Sequence, residues 1–215
     1  LYTNFDMEMV KEMRHLIKKA DVVTPNMTEL FYLLDKPYKA DNTDEELKEY
    51  LRLLSDKGPQ VVIITSVPVH DEPHKTSVYA YNRQGNRYWK VTCPYLPAHY
   101  PGTGDTFTSV ITGSLMQGDS LPMALDRATQ FILQGIRATF GYEYDNREGI
   151  LLEKVLHNLD MPIQMASYEL ISEKSEDCKR TQNSTVTLVG RSPGVHFGPS
   201  LTRRIASLSA DSHNP

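Results

Sequence analysis

The run Val61-Val62-Ile63-Ile64-Thr65, set between segments of helical period, does most to narrow the folds open to this chain. It reads as a buried core strand, bounded upstream by Gly58-Pro59. A buried strand needs apolar helix faces to cover it, and the neighbouring sequence supplies them. From Asp6 to Lys19, Met9, Val10, Met13, Leu16 and Ile17 fall on one helical face, with Asp6 placed to cap its start. Val22-Val23-Thr24 is a second short strand, stopped by Pro25. A helix over Met27 to Leu34 opens at Asn26, with Glu29 in its first turn. Thr43 caps a charged helix that runs to Leu54. Ser77 to Tyr81 and Arg87 to Thr92 form a hairpin around Arg83-Gln84-Gly85-Asn86. A helix beyond Gly104 carries Phe107, Val110, Ile111, Leu115 and Met116. Another spans Leu121 to Thr139 with Pro122 in its first turn, where a missing donor costs little. A last helix is expected from Arg147 to Leu159. Strands alternating with amphipathic helices predict an α/β layered fold.

Composition divides the chain near residue 171. Residues 172 to 215 hold 11 apolar side chains in 44, with eight serines and no sustained period. Such a segment buries too little apolar surface to offset its ordering entropy. The expectation is one domain over residues 1–171 and a disordered, low-complexity tail over 172–215. Within that tail, Asn183-Ser184-Thr185 matches a glycosylation sequon, though a bland surface reading serves it better; Arg203-Arg204-Ile205-Ala206-Ser207 would suit a basophilic kinase, and a solvated charged turn explains it as well. The whole chain carries 23 basic and 27 acidic residues, a net charge of -4. That balance argues against nucleic acid as a partner. No apolar run is long enough to span a membrane. Two cysteines, Cys93 and Cys178, make neither a disulfide framework nor a zinc cluster, so a reducing cytoplasmic compartment is expected. The opening at Leu1 shows no secretory signal and reads like the interior of a longer protein.

Chemistry concentrates in Pro101-Gly102-Thr103-Gly104-Asp105, directly before a helix of apolar period. Two glycines allow a tight turn and close approach to a ligand. The helix start offers unpaired N–H groups that suit a phosphate or a developing oxyanion. A carboxylate in the first turn can take a proton from a nearby hydroxyl. On spacing alone a second reading stands level with this one: an ordinary turn, with Asp105 complementing the helix dipole. Asn26-Met27-Thr28-Glu29 follows a strand and opens a helix, so Glu29 could hold a hydrated Mg²⁺ through water. An Asn-x-x-Glu capping box explains the same residues more simply.

Taken in order, Val22-Val23-Thr24-Pro25-Asn26-Met27-Thr28-Glu29, Ile63-Ile64-Thr65-Ser66 and Gly102-Thr103-Gly104-Asp105 resemble the ribokinase superfamily, and within it the pyridoxal (vitamin B6) kinase branch. The resemblance covers roughly residues 1 to 170. It implies the C-terminal portion of a ribokinase-like three-layer sandwich with a mostly parallel sheet. It also implies transfer of the ATP γ-phosphoryl group to the 5′-hydroxyl of pyridoxal, pyridoxine or pyridoxamine, with Mg²⁺. Asp105 would then be the general base, and Gly102, Thr103 and Gly104 the anion hole. Thr24, Asn26, Glu29, Thr65 and Ser66 would lie near the nucleotide phosphates and Mg²⁺, with Pro94, Tyr95 and Leu96 along the nucleotide. Tyr95 reads more simply as a packed loop residue than as an adenine stack. A homodimer is implied for the full-length family form.

Family members carry roughly a hundred further N-terminal residues, including most of the vitamin pocket and an Asp-Pro-Val-Met-Gly-Asp-like segment. Two alternatives therefore stand beside the vitamin kinase: a hydroxymethylpyrimidine or sugar kinase, and a non-catalytic nucleotide-binding fragment. His70 and His74 sit four apart, but Pro73 between them argues for a loop rather than a metal site. His15 and His99 stand alone. Cys93 has no neighbour that would lower its pKa, and Tyr88 and Trp89 read as packing residues.

Overall fold

The computed structural model describes residues 6–142, 145–161, 168–171 and 205–206. Local signals set the first elements. The Asp6 carboxylate accepts the Met9 N–H at 2.8 Å and starts α1 (Met7–Leu16), which tightens into a 3₁₀ turn at Ile17–Lys19. After β1 (Val22–Val23), α2 (Met27–Leu34) opens at Asn26 and α3 (Asp44–Ser55) at Thr43, each through a complete capping box. β2 (Val61–Pro68), β3 (Lys75–Asn82) and β4 (Arg87–Pro94) follow, then α4 (Thr103–Met116) and α5 (Leu121–Thr139). β5 (Tyr168–Ile171) and β6 (Ile205–Ala206) complete a sheet of order β5-β4-β3-β2-β1-β6.

The two faces of that sheet follow from the strand period of two. Val62 and Ile64 point with Val23, Tyr79 and Tyr81 toward Leu30, Leu51 and Leu54 of α2 and α3. Val61 and Ile63 point with Val22, Val78, Ala80 and Val91 toward Ile111, Leu125 and Ala128 of α4 and α5. Ile63 and Ile64 are both 0% exposed, so the core strand is covered on both sides. Each such side chain contributes about 1.5–3 kcal/mol by leaving water. The result is a three-layer α/β/α arrangement.

Strand direction departs from the expected mostly parallel sheet. Among the described strands, β1–β2 and β1–β6 are parallel, while β2–β3, β3–β4 and β4–β5 run antiparallel. For β2–β3 and β3–β4 the cause is connection length. Val69–His74 and Arg83–Asn86 are too short for a parallel return, which needs a crossover of a dozen or more residues.

The expected helix from Arg147 to Leu159 is also corrected. Short 3₁₀ turns occupy Asn146–Glu148, Leu152–Lys154 and Leu156–Asp160 instead. Tertiary contacts override the helical period here. The Leu151 N–H is taken by the Thr139 hydroxyl at 2.9 Å, while Ile150 and Val155 are buried. β5 has no counterpart in the sequence reading, because its exposed Glu169 and Leu170 give no apolar alternation. The expected disordered tail lies outside the described residues apart from Ile205–Ala206, as do the sequon and the other residues of the Arg203–Ser207 motif.

Candidate active site

The loop before α4 is built to expose a helix start. Gly102 takes φ +77 at the N-cap, a left-handed conformation that costs a side-chain-bearing residue about 1–2 kcal/mol. Its carbonyl accepts both the N–H and the hydroxyl of Thr106, each at 2.9 Å, and the Thr103 hydroxyl donates to the Tyr100 carbonyl at 3.2 Å. No side chain caps the helix. The first-turn N–H groups are therefore free of an N-cap side chain, and Asp105 lies in that turn. A start of this kind attracts anions.

Across from it, Asn26 and Glu29 form the capping box, and more besides. Glu29 Oε2 accepts the Asn26 N–H at 2.9 Å, and Asn26 Oδ1 accepts the Glu29 N–H at 3.0 Å. The cap uses one carboxylate oxygen; the other, Oε1, is buried without a hydrogen-bond partner. Burial raises the Glu29 pKa above its ordinary value, the hydrogen bonds from Asn26 oppose this, and the charge of Asp105 adds to the rise. The two carboxylates thus feel one another. Asn26 also bridges Thr65 in parallel fashion, which ties this helix start to β2.

Thr24 is tied into the same region through the fold. It is buried, and its hydroxyl lies 2.8 Å from that of Thr108, which itself donates to the Gly104 carbonyl at 2.9 Å. Since Thr108 has one proton, Thr24 must be the donor in their shared bond. Its hydroxyl therefore anchors the Gly102–Asp105 turn to the end of β1.

Beside the α4 start lies a cleft of about 680 Å³. Thr65, Ser66, Pro94, Tyr95, Leu96, Thr103 and Gly104 all line it, so the structure gathers most of the proposed nucleotide residues at one place. Thr24, Asn26, Glu29, Gly102 and Asp105 are not in that lining. The β2 register shifts between Ile64 and Val67, and Ser66 within it has φ +57. A bulge of this kind re-aims side chains beside a site. Tyr95 is 54% exposed at the rim rather than packed.

The sequence reading missed Val78, Phe107, Thr129, Ile132 and Ile136, which also line the cleft. Phe107, Ile132 and Ile136 belong to apolar helix faces, and period cannot separate a core wall from a cleft wall. Cys93 lines the cleft too, and burial pushes its thiol up to about 11, which disfavours the reactive thiolate. His70 is an exposed loop residue 3.3 Å from Asp41 and from Asp71. Among the described residues no cluster of three or more His, Cys, Asp or Glu could hold a metal, and no helix is long and apolar enough to cross a membrane.

The Glu29 environment predicts a pH signature. A raised folded pKa means that the folded chain holds this proton more tightly than the unfolded chain does. The group's contribution to stability is then intact below the ordinary 4.5 and is lost as pH rises through the folded value. Glu29→Gln keeps an acceptor for the Asn26 N–H and removes the titration. In magnesium-free buffer the variant should melt above the parent at pH 8, and the gap should close toward pH 4. Parallel melting curves at both pH values would contradict this account.

Comparison with known proteins adds an independent line. A family model described as phosphomethylpyrimidine kinase matches residues 3–148. A candidate phosphomethylpyrimidine kinase from Bacteroides thetaiotaomicron, crystallised with pyridoxal, is 97% identical with a TM-score of 0.77; the match covers 80% of this chain and 60% of that one. Pyridoxal kinase PdxY of Corynebacterium diphtheriae is 31% identical over 139 residues, 64% of this chain and 47% of its own. The fold also matches pyridoxal kinase from Leishmania donovani in complex with ADP and pyridoxamine, at 22% identity and a TM-score of 0.68, over 79% of this chain and 56% of that one. The chain thus spans about half the length of the curated relative and little more than half of the solved ones.

Proposed function

We infer the reaction from one premise: the chain belongs to the phosphomethylpyrimidine kinase family. The activity proposed is ATP-dependent phosphorylation of the 5′-hydroxyl of a B6 vitamer. The observation that carries it is the pairing of an uncapped helix start, holding Asp105, with the half-paired carboxylate of Glu29. In this reading Asp105 takes the proton of the substrate hydroxyl as its oxygen attacks the γ-phosphorus, and ADP leaves with the bridging oxygen. The N–H groups of the Gly102–Gly104 turn stabilise charge on the transferred phosphoryl, where positioning and electrostatics supply most of the rate. The nucleotide lies in the cleft along Thr65, Ser66 and Pro94–Leu96. Mg²⁺ would neutralise phosphate charge; Glu29 Oε1 fits it, because this cation is held through one or two carboxylates and keeps its waters.

Pyridoxal is favoured as acceptor over hydroxymethylpyrimidine because the 97% identical relative was crystallised with it. The test is an acceptor panel with ATP and Mg²⁺, run on this chain and on that longer relative. It comprises pyridoxal, pyridoxine, pyridoxamine, hydroxymethylpyrimidine and ribose. Pyridoxal 5′-phosphate formation by the longer protein is expected. Turnover of hydroxymethylpyrimidine or ribose alone would overturn the vitamer assignment. ADP binding without turnover by this chain would instead mark it as a nucleotide-binding portion of the enzyme.

A further inference from the structure

Along α4 and α5, the helical hydroxyls of Thr106, Thr108, Ser109, Thr112 and Thr139 share one habit. Each donates to the carbonyl four residues back, at 2.7 to 2.9 Å. Thr129 departs from it. The residue is 5% exposed and its Oγ1 is buried with no hydrogen-bond partner. An unpaired buried hydroxyl costs about 1–3 kcal/mol, and valine would fill the same volume without that cost. The residue lines the cleft, and its neighbours there include Val78, Phe107, Ile132 and Ile136.

The cleft therefore has two chemically distinct ends. Thr103 and Gly104 bring the anion-attracting start of α4, whereas α5 brings an apolar wall with one unsatisfied hydroxyl. Apolar walls with a few placed polar groups are what a flat organic ligand requires. We propose that Thr129 is a specificity-determining residue that pairs with the hydrogen-bonding edge of a purine base whose phosphates lie at the α4 start. This rests on the nucleotide reading of the cleft. A helical threonine has two favourable χ1 wells, so one rotation turns the hydroxyl toward a bound base. The hydroxyl can donate to a ring nitrogen or accept from an exocyclic amine.

Titration calorimetry of the 215-residue chain with ADP, and separately with inorganic pyrophosphate, tests this in the parent, Thr129→Val and Thr129→Ser. The valine variant should bind ADP about 5- to 10-fold more weakly, with pyrophosphate affinity unchanged, and serine should stay within about twofold of the parent. Without ligand, the valine variant should melt at or above the parent temperature, because it removes an unpaired group. A merely structural hydroxyl would give the opposite shift. Parent-like ADP affinity in the valine variant, or a lowered melting temperature without ligand, would overturn the assignment. Failure of the parent itself to bind ADP would overturn the nucleotide reading and this inference together, and would be evident before any substitution was compared.

Discussion

Alanine in place of Asp105 is expected to lower turnover by about 10²- to 10⁴-fold, the usual worth of a positioned general base. The change belongs in the longer Bacteroides relative at the matching position, since this chain spans 60% of it. ADP affinity should change little, because Asp105 is not part of the cleft lining. A small structural cost accompanies the change: a carboxylate in the first turn of α4 favours the helix dipole by about 0.3–1 kcal/mol. Asp105→Asn separates the two effects, since it keeps the shape and loses the base. Removing this charge also removes one cause of the raised Glu29 pKa, so that group should titrate at lower pH in either variant. Turnover within threefold of the parent would rule out Asp105 as the base.

The second large effect is on stability. Gly58 follows α3 at φ +154, and a Cβ placed there would lie 2.6 Å from the Lys18 Cα and 2.8 Å from the Lys18 carbonyl oxygen. Both are backbone atoms, so no side-chain rotation relieves the clash. The turn cannot swing away either. Arg83 donates to the Ser55 carbonyl at 2.9 Å and to the Gly58 carbonyl at 3.1 Å, and the Ser55 hydroxyl donates to the Pro59 carbonyl at 2.7 Å. Gly58→Ala should therefore destabilise the chain by about 3 kcal/mol, as severe overpacking does. For a domain of this size that corresponds to a melting temperature lower by about 6–12 °C. Strain at this point pushes β1 from β2, where the Val61 N–H reaches the Asp21 carbonyl at 2.9 Å, and so reaches the site through the Asn26–Thr65 bridge. Gly113→Ala is the control of opposite sign. Beyond the helix's own backbone and its chain neighbours, no atom lies within 4 Å of its Cβ position on the exposed face of α4, so it should stabilise by about 0.5–1 kcal/mol. Equal melting temperatures for the two variants would refute the clash.

The sequence by itself determined whatever depends on short range. Apolar period placed α1 to α5 and the strand at Val61, and the Asn26 and Thr43 caps marked two helix starts to the residue. The burial of Val61–Ile64 followed from its apolar composition, and the α/β layering from the alternation of strands and helices. The order of short motifs carried the family. Tertiary structure alone decided what joins distant residues. Thr24 meets Thr108 across 84 positions, and that contact anchors the loop before α4 to the end of β1. Which oxygen of Glu29 remains after capping depends on where α2 docks beside the α4 start. Arg147 to Leu159 carried a helical period, yet contacts with α5 left it as 3₁₀ turns. Thr129 carries no signal in the sequence, and only the packed layers place it in the cleft wall. Period and capping are encoded within a few residues of chain, whereas direction of pairing, cleft walls and unsatisfied groups exist only once the layers have packed.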